Sequence, residues 1–188
     1  MTKYLSAAAV LTVTIFCTMG GPAIAEDAAP AFTEDAVTAD ANAALKSLYA
    51  SEPVAKMIGD KSKAILVFPD IVKAGFIVGG QYGEGVLLSD GKGGAHYRSV
   101  AASYGLQAGV QSFGYALFLT NDKALAYLDS SGGWELGVGP SIVIVDKGKA
   151  KSMTTLTMKD DVYAFIFDQK GLMAGLGLQG SKITKLNK

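Results

Sequence analysis

The sequence predicts an α+β fold that is mainly β: a coiled antiparallel sheet closing into a barrel or sandwich, with N-terminal helices and one short helix near 121–128. Three observations lead there. Helical periodicity ends at Gly59, and strand-like segments with turn signals fill most of the chain beyond it. No long helix returns between those segments, which disfavours parallel βαβ units and favours antiparallel pairing. Glycine is in excess, 23 of 188 residues against a usual ~7%. Much of it lies inside strand segments, where it marks sharp bends or close backbone approach.

Residues 1–25 have the layout of a secretory signal peptide. Lys3 supplies the positive start, Leu5–Met19 carries no charge, and Ala23-Ile24-Ala25 closes it, as export signals require. Cleavage after Ala25 leaves an exported chain, periplasmic or associated with the outer envelope. Lipoprotein processing at Cys17 is a second reading, disfavoured by the bulky Phe16 before it. Residues 26–33 read as a flexible lead and 34–188 as a single domain.

From Glu34 to Ala50, Val37, Ala41, Ala44, Leu45 and Leu48 form one apolar stripe, the signature of an amphipathic helix. Glu34 and Asp35 favour its N-terminus through the helix dipole. Ser51 is placed to cap a second helix, with Pro53 in its first turn, Val54, Met57 and Ile58 as its apolar side, and Gly59 at its end. Strands are predicted near 64–68, 74–82, 84–89, 95–99, 102–112, 114–119, 134–138, 141–145, 152–158, 162–168, 172–178 and 181–186. Turn chemistry marks Ser89–Gly94, Asp129–Gly133, Asp146–Gly148 and Asp168–Gly171. Asn121 caps the interrupting helix over Asp122–Leu128. The continuous apolar runs Ile65–Phe68, Ala116–Leu119 and Ile142–Val145 indicate burial on both faces rather than the alternation of an outer-membrane barrel.

Charge and motif content narrow the function. Seventeen basic residues balance seventeen acidic ones, which excludes a mainly electrostatic nucleic-acid binder. One cysteine allows no intrachain disulfide. Gly80-Gln81-Tyr82-Gly83-Glu84-Gly85 is succeeded by strand, whereas a phosphate loop needs a helix N-terminus there. His96, the single histidine, has no nucleophile elbow to serve, so a hydrolase built on it is the weakest reading. The carboxylates fall mostly at turns, without metal-ligand spacing. Neither catalytic residues nor a metal or other cofactor is expected. The strand glycines suit internal packing; a slot for an acyl chain is the alternative. Lys46, Lys56, Lys61, Lys63 and Lys73 gather around the helices and first strand, and a basic amphipathic region of this kind suits an anionic membrane surface.

Two blocks carry a family resemblance: Lys63-Ala64-Ile65-Leu66-Val67-Phe68-Pro69 with Lys73 through Gly85, and Ala102-Ser103-Tyr104-Gly105-Leu106-Gln107-Ala108-Gly109-Val110-Gln111. In order and spacing they resemble the SYLF domain family, the lipid-binding or actin-binding SYLF proteins, from about Ala43 to Ile183. The resemblance implies phospholipid binding through the basic amphipathic helical region, with phosphoinositides as ligands in eukaryotic relatives and actin bundling in some. For a bacterial exported member it implies anionic glycerophospholipids as partners, with actin disfavoured outside the cytosol. The expected function is an exported, non-catalytic phospholipid-binding module. The alternative is a cell-envelope structural or protein-interaction domain that holds an envelope protein.

Overall fold

The computed structural model describes residues 34–130, 133–136, 138–154, 157–171 and 181–186. Helix α1 spans Glu34–Ser51 and buries Val37, Ala41, Leu45 and Leu48, the predicted stripe, with Ala44 half-buried. Helix α2, Pro53–Gly59, comes directly after it and buries Ala55 and Ile58. Its N-cap is Glu52, without a side-chain cap. The Ser51 cap predicted from sequence does not form: Ser51 ends α1 and its hydroxyl donates back to the Leu48 carbonyl at 3.2 Å.

Two long strands dominate the rest of the domain. Strand β1 runs Ala64–Ser89 and β2 runs Lys92–Leu119, joined by a turn at Asp90-Gly91. The separate strands predicted within 64–119 are therefore two continuous ones with register shifts, at Phe68/Ile71, Phe76/Val78 and Val86/Leu88. Helix α3, Asp122–Leu128, forms as expected, and the Asn121 side chain accepts from the Ala124 N–H at 3.0 Å. Strands β3 (Trp134–Glu135), β4 (Ile142–Ile144), β5 (Val162–Gly171) and β6 (Lys182–Lys185) complete the described sheet. The predicted strand over 172–178 lies outside the described residues.

β2 is the spine of a curled, half-barrel sheet. β1 lines one edge of it; β5 and β6 pair along the other, at Gln111–Leu119 and at Tyr97–Val100. β3 adds to β6, and β4 adds to β5 in parallel. That parallel pair corrects the all-antiparallel expectation. The connection that permits it is helix α4, Lys147–Ser152, part of a crossover long enough to return β5 in the same direction. Its N-cap is Asp146, whose carboxylate accepts from the Lys149 N–H at 2.7 Å. The predicted turn at Asp146–Gly148 is thus a helix start, and none of the described residues of the predicted strand over 152–158 is strand. A cap leading into a short run of Lys and Ala favours helix over strand.

The apolar runs are buried on both faces, as predicted for 65–68 and 116–119. One side chain set (Ile65, Val67, Ala116, Phe118) packs under α1 and α2. The alternate set (Leu66, Phe68, Leu117, Leu119) faces the interior of the curl with Tyr97, Trp134 and Ile183. The predicted run at 142–145 is only partly buried: Ile144 is exposed.

Glycine explains the curl. β1 doubles back on itself at Phe76–Val78. A Cβ on Gly75 would stand 2.5 Å from the Gly79 Cα; four residues along a straight strand would be roughly 13 Å apart. Farther down, a Cβ on Gly83 would stand 2.6 Å from Ile71 Cγ1, and one on Gly85 would be 2.6 Å from the Phe68 ring. The Ser89 hydroxyl donates to the Lys63 carbonyl at 3.5 Å, so the strand returns beside its own start. At Gly75 and Gly85 the chain meets itself directly, which leaves no slot for an acyl chain at those two positions.

Asp161 ties the α3 cap to the β4–β5 end of the sheet. Its carboxylate accepts from the Asn121 amide at 2.8 Å, the Ser141 N–H at 2.9 Å and the Lys123 ammonium at 3.2 Å. These donors, led by the Ser141 N–H, hold its pKa down at about 2. A depressed carboxylate adds stability above its unfolded pKa, near ~3.9, and that stability is lost as the pH falls towards the folded value. Asp161→Asn is expected to cost about 2 kcal/mol at neutral pH, the usual range for hydrogen bonds to a charged group. It should also flatten the fall in melting temperature between pH 4 and 2, roughly the span of the two pKa values. Thermal melts across that range check both.

Candidate functional site

The helical pair and its junction with β1 carry four of the five predicted lysines. Tyr49 lies near the C-terminus of α1. Its ring contacts Phe118 at 6.4 Å, and the Lys56 ammonium lies 5.8 Å from its centroid, within cation–π range. Burial and the Asp60 carboxylate push the Tyr49 hydroxyl up to about 12, so it stays protonated and neutral beside the lysines. Lys46 lies three residues before Tyr49, on a neighbouring part of the helix surface. Lys61 and Lys63 come where α2 hands over to β1.

All four side chains are exposed. Lys56 pairs with Asp60 at 2.8 Å and Lys63 approaches Asp122 at 3.7 Å. Both are solvent-exposed pairs, which are worth little and exchange readily. No ion pair to Lys46 or Lys61 is found among the described residues. Lys73 is not part of this group. It lies ten residues along β1 from Lys63, up to about 30 Å at ~3.3 Å per residue, opposite Gln111.

Two grooves flank α1. One, of about 480 Å³, has Val37, Ala44, Pro69 and Val72 as its apolar wall and Asp40, Asp70 and Glu84 as its polar part. The other, of about 470 Å³, runs between Leu48, Val145 and Phe167, with Glu52, Asp146 and Asp168 beside it. A phosphate in either would face carboxylates, so the grooves do not suit anionic headgroups. His96 is half-buried in β2 opposite Val86, and its carbonyl accepts from the Leu186 N–H at 2.8 Å. Among the described residues no group of three or more His, Cys, Asp or Glu is set to hold a metal. No helix there is long and apolar enough to cross a membrane, which says nothing of strands.

One feature escapes sequence reasoning. Phe76, Ile77 and Val78, read as the interior of a strand, are 75%, 45% and 64% exposed at the bend of β1. Their signal was the glycine on either side, Gly75 and Gly79-Gly80, which permits the fold-back that turns them outward.

A curled, mainly β sheet with a lysine-bearing helical pair on one face defines a small β-rich α+β domain. Residues 100–188, a little under half of the chain, match the family model Ysc84, described as Las17-binding protein actin regulator. That match is consistent with the SYLF resemblance of the second residue block, Ala102–Gln111; the first block, Lys63–Gly85, lies outside it. No curated protein matches the chain.

Proposed function

We propose that this domain is a non-catalytic phospholipid-binding module of an exported protein and that it recognises anionic membrane lipids through Lys46, Lys56, Lys61 and Lys63. The observation that supports the reading is that all four side chains are exposed on the helical pair and its junction with β1, with the Lys56 ammonium over the Tyr49 ring. Lys73, the fifth predicted residue, stands apart from that group. Lipid binding is a property of the family, and the leader read at 1–25 separates the chain from cytosolic actin. Each lysine near an anionic surface is worth about 1 kcal/mol. Four give about 4 kcal/mol, a dissociation constant near ~1 mM, so an apolar contact has to supply the remainder of a useful affinity.

Flotation of the full chain with vesicles of phosphatidylcholine and phosphatidylglycerol tests the reading. Recovery is expected to rise with the anionic fraction and fall with salt, because about 0.1 M salt screens charges beyond ~10 Å. Changing Lys46, Lys56, Lys61 and Lys63 to Glu is expected to reduce binding at least about tenfold, a smaller loss than the ~4 kcal/mol sum would allow. Equal recovery of that variant, or capture of an envelope protein with no lipid recovered, overturns the reading.

A further inference from the structure

The bend of β1 carries an apolar surface that the helices leave uncovered. Phe76, Ile77 and Val78 form its crest, and Val110 (61% exposed) and Val100 (46%) lie on its two flanks. Val110 is paired with Ala74 on one arm of β1, and Val100 with Tyr82 on the other. The surface is therefore convex. It is also uncharged: no charged residue occurs from Ser99 to Leu119, and Lys73 is the one charged residue between Ile71 and Gly83. Behind the crest, Val72 and Lys73 pair with Ser112 and Gln111, which pair in turn with Lys170 and Gly171 of β5. Lys73 and the exposed Lys170 thus stand at one level beneath the apolar bend.

Ile77 adds an independent observation. Its φ is +66°, a left-handed conformation that is a genuine outlier for a β-branched residue and the ordinary province of glycine. Strain of this kind is a pointer to function. Here the strained residue displays an exposed aliphatic side chain within the bend, between the more exposed Phe76 and Val78, in place of the glycine that its backbone favours.

We propose that this bend is a membrane-inserting wedge, with Phe76, Ile77 and Val78 entering the acyl region of a phospholipid bilayer and Lys73 and Lys170 at headgroup level. A bilayer fits better than a protein partner for two reasons. A convex crest apolar on both flanks is covered all round by lipid, whereas a protein face covers one side of it. The crest region also lacks charged side chains and offers few of the roughly ten hydrogen bonds of a typical protein interface, whereas an interfacial anchor needs apolar area and a cationic margin. The inference rests on the lipid-binding reading for the kind of partner, but uses residues well removed along β1 from the lysine group.

The test is flotation with neutral phosphatidylcholine vesicles and with vesicles containing phosphatidylglycerol. Phe76→Asp combined with Val78→Asp is expected to lower recovery at least about tenfold on both, with no loss of salt sensitivity in what remains. Ile77→Gly separates folding from binding: it should raise the melting temperature, because the strain is relieved, and still weaken flotation. A dye on Phe76→Cys, in a Cys17→Ser background, should shift to the blue on vesicles and be quenched by brominated acyl chains. The same dye on Val138→Cys should not respond. If wild type floats and the Phe76/Val78 variant floats equally, insertion is wrong while the lysine reading stands. If wild type floats with no vesicle, both are wrong. If the variant instead dissolves a dimer seen by sedimentation and leaves flotation intact, the crest is a self-association surface and the proposal is overturned.

Discussion

Gly85→Val is expected to lower the melting temperature by roughly 10 °C, the equivalent of about 3 kcal/mol for a domain of this size. The cause is the close approach of β1 to itself. A Cβ at Gly85 would collide with the Val67 carbonyl oxygen and stand 2.6 Å from the Phe68 ring edge. Phe68 is itself fully buried and stacked on Tyr115 at 6.2 Å between ring centres, so neither obstacle can yield cheaply. Gly80 is the control. The nearest atom to a Cβ there is the Ala101 oxygen at 3.9 Å, and Gly80→Ala is expected to change stability by no more than about 0.5 kcal/mol. Circular dichroism melts of the two variants decide the matter. Equal melting would mean that the doubling back of β1 does not set the glycine requirement.

That pair of glycines also shows how far the sequence could be read. A strand glycine announces that something comes close or that the chain bends, and this was legible from composition. What comes close was not, because Gly85 meets residues of its own strand, folded back through a bend that local pattern does not encode. For the same reason Phe76-Ile77-Val78 read as ordinary strand: an apolar triplet has the same local signature whether it is buried or displayed at a crest. The helices were legible because the stripe of Val37, Ala41, Leu45 and Leu48 repeats at helical spacing and is buried as such. Helix α4 was not, because in Lys147–Ser152 only Ala150 is a buried apolar residue and the cap at Asp146 looks like a turn. The parallel pairing of β4 with β5 went with it. Among the lysines, Lys46, Lys56, Lys61 and Lys63 fall on the helical pair and its junction with β1. Lys73 was carried away by the extended strand, whose rise of ~3.3 Å per residue turns ten residues into a separate site.

Phe118→Ala is expected to cost about 4 kcal/mol, within the usual range for emptying a buried aromatic site, and to act on the helices first. Phe118 is fully buried on the face of β2 that carries α1 and α2; its ring meets Phe165 edge-on at 5.2 Å and Tyr49 at 6.4 Å. Its neighbour Leu117 is equally buried but points into the interior of the curl. Truncating either removes core volume, but only Phe118 holds the seat of Tyr49, on which the Lys56 ammonium rests. Phe118→Ala should therefore expose the 34–63 segment to protease well below global unfolding. It should also weaken binding to anionic vesicles at temperatures where the sheet is intact. Leu117→Ala, with a loss of about 3 kcal/mol, should lower the melting temperature without selective cleavage in that segment. If both variants are cut alike, the helical pair and the sheet unfold as one unit, and the lysine group is not held in place by the Tyr49–Phe118 contact.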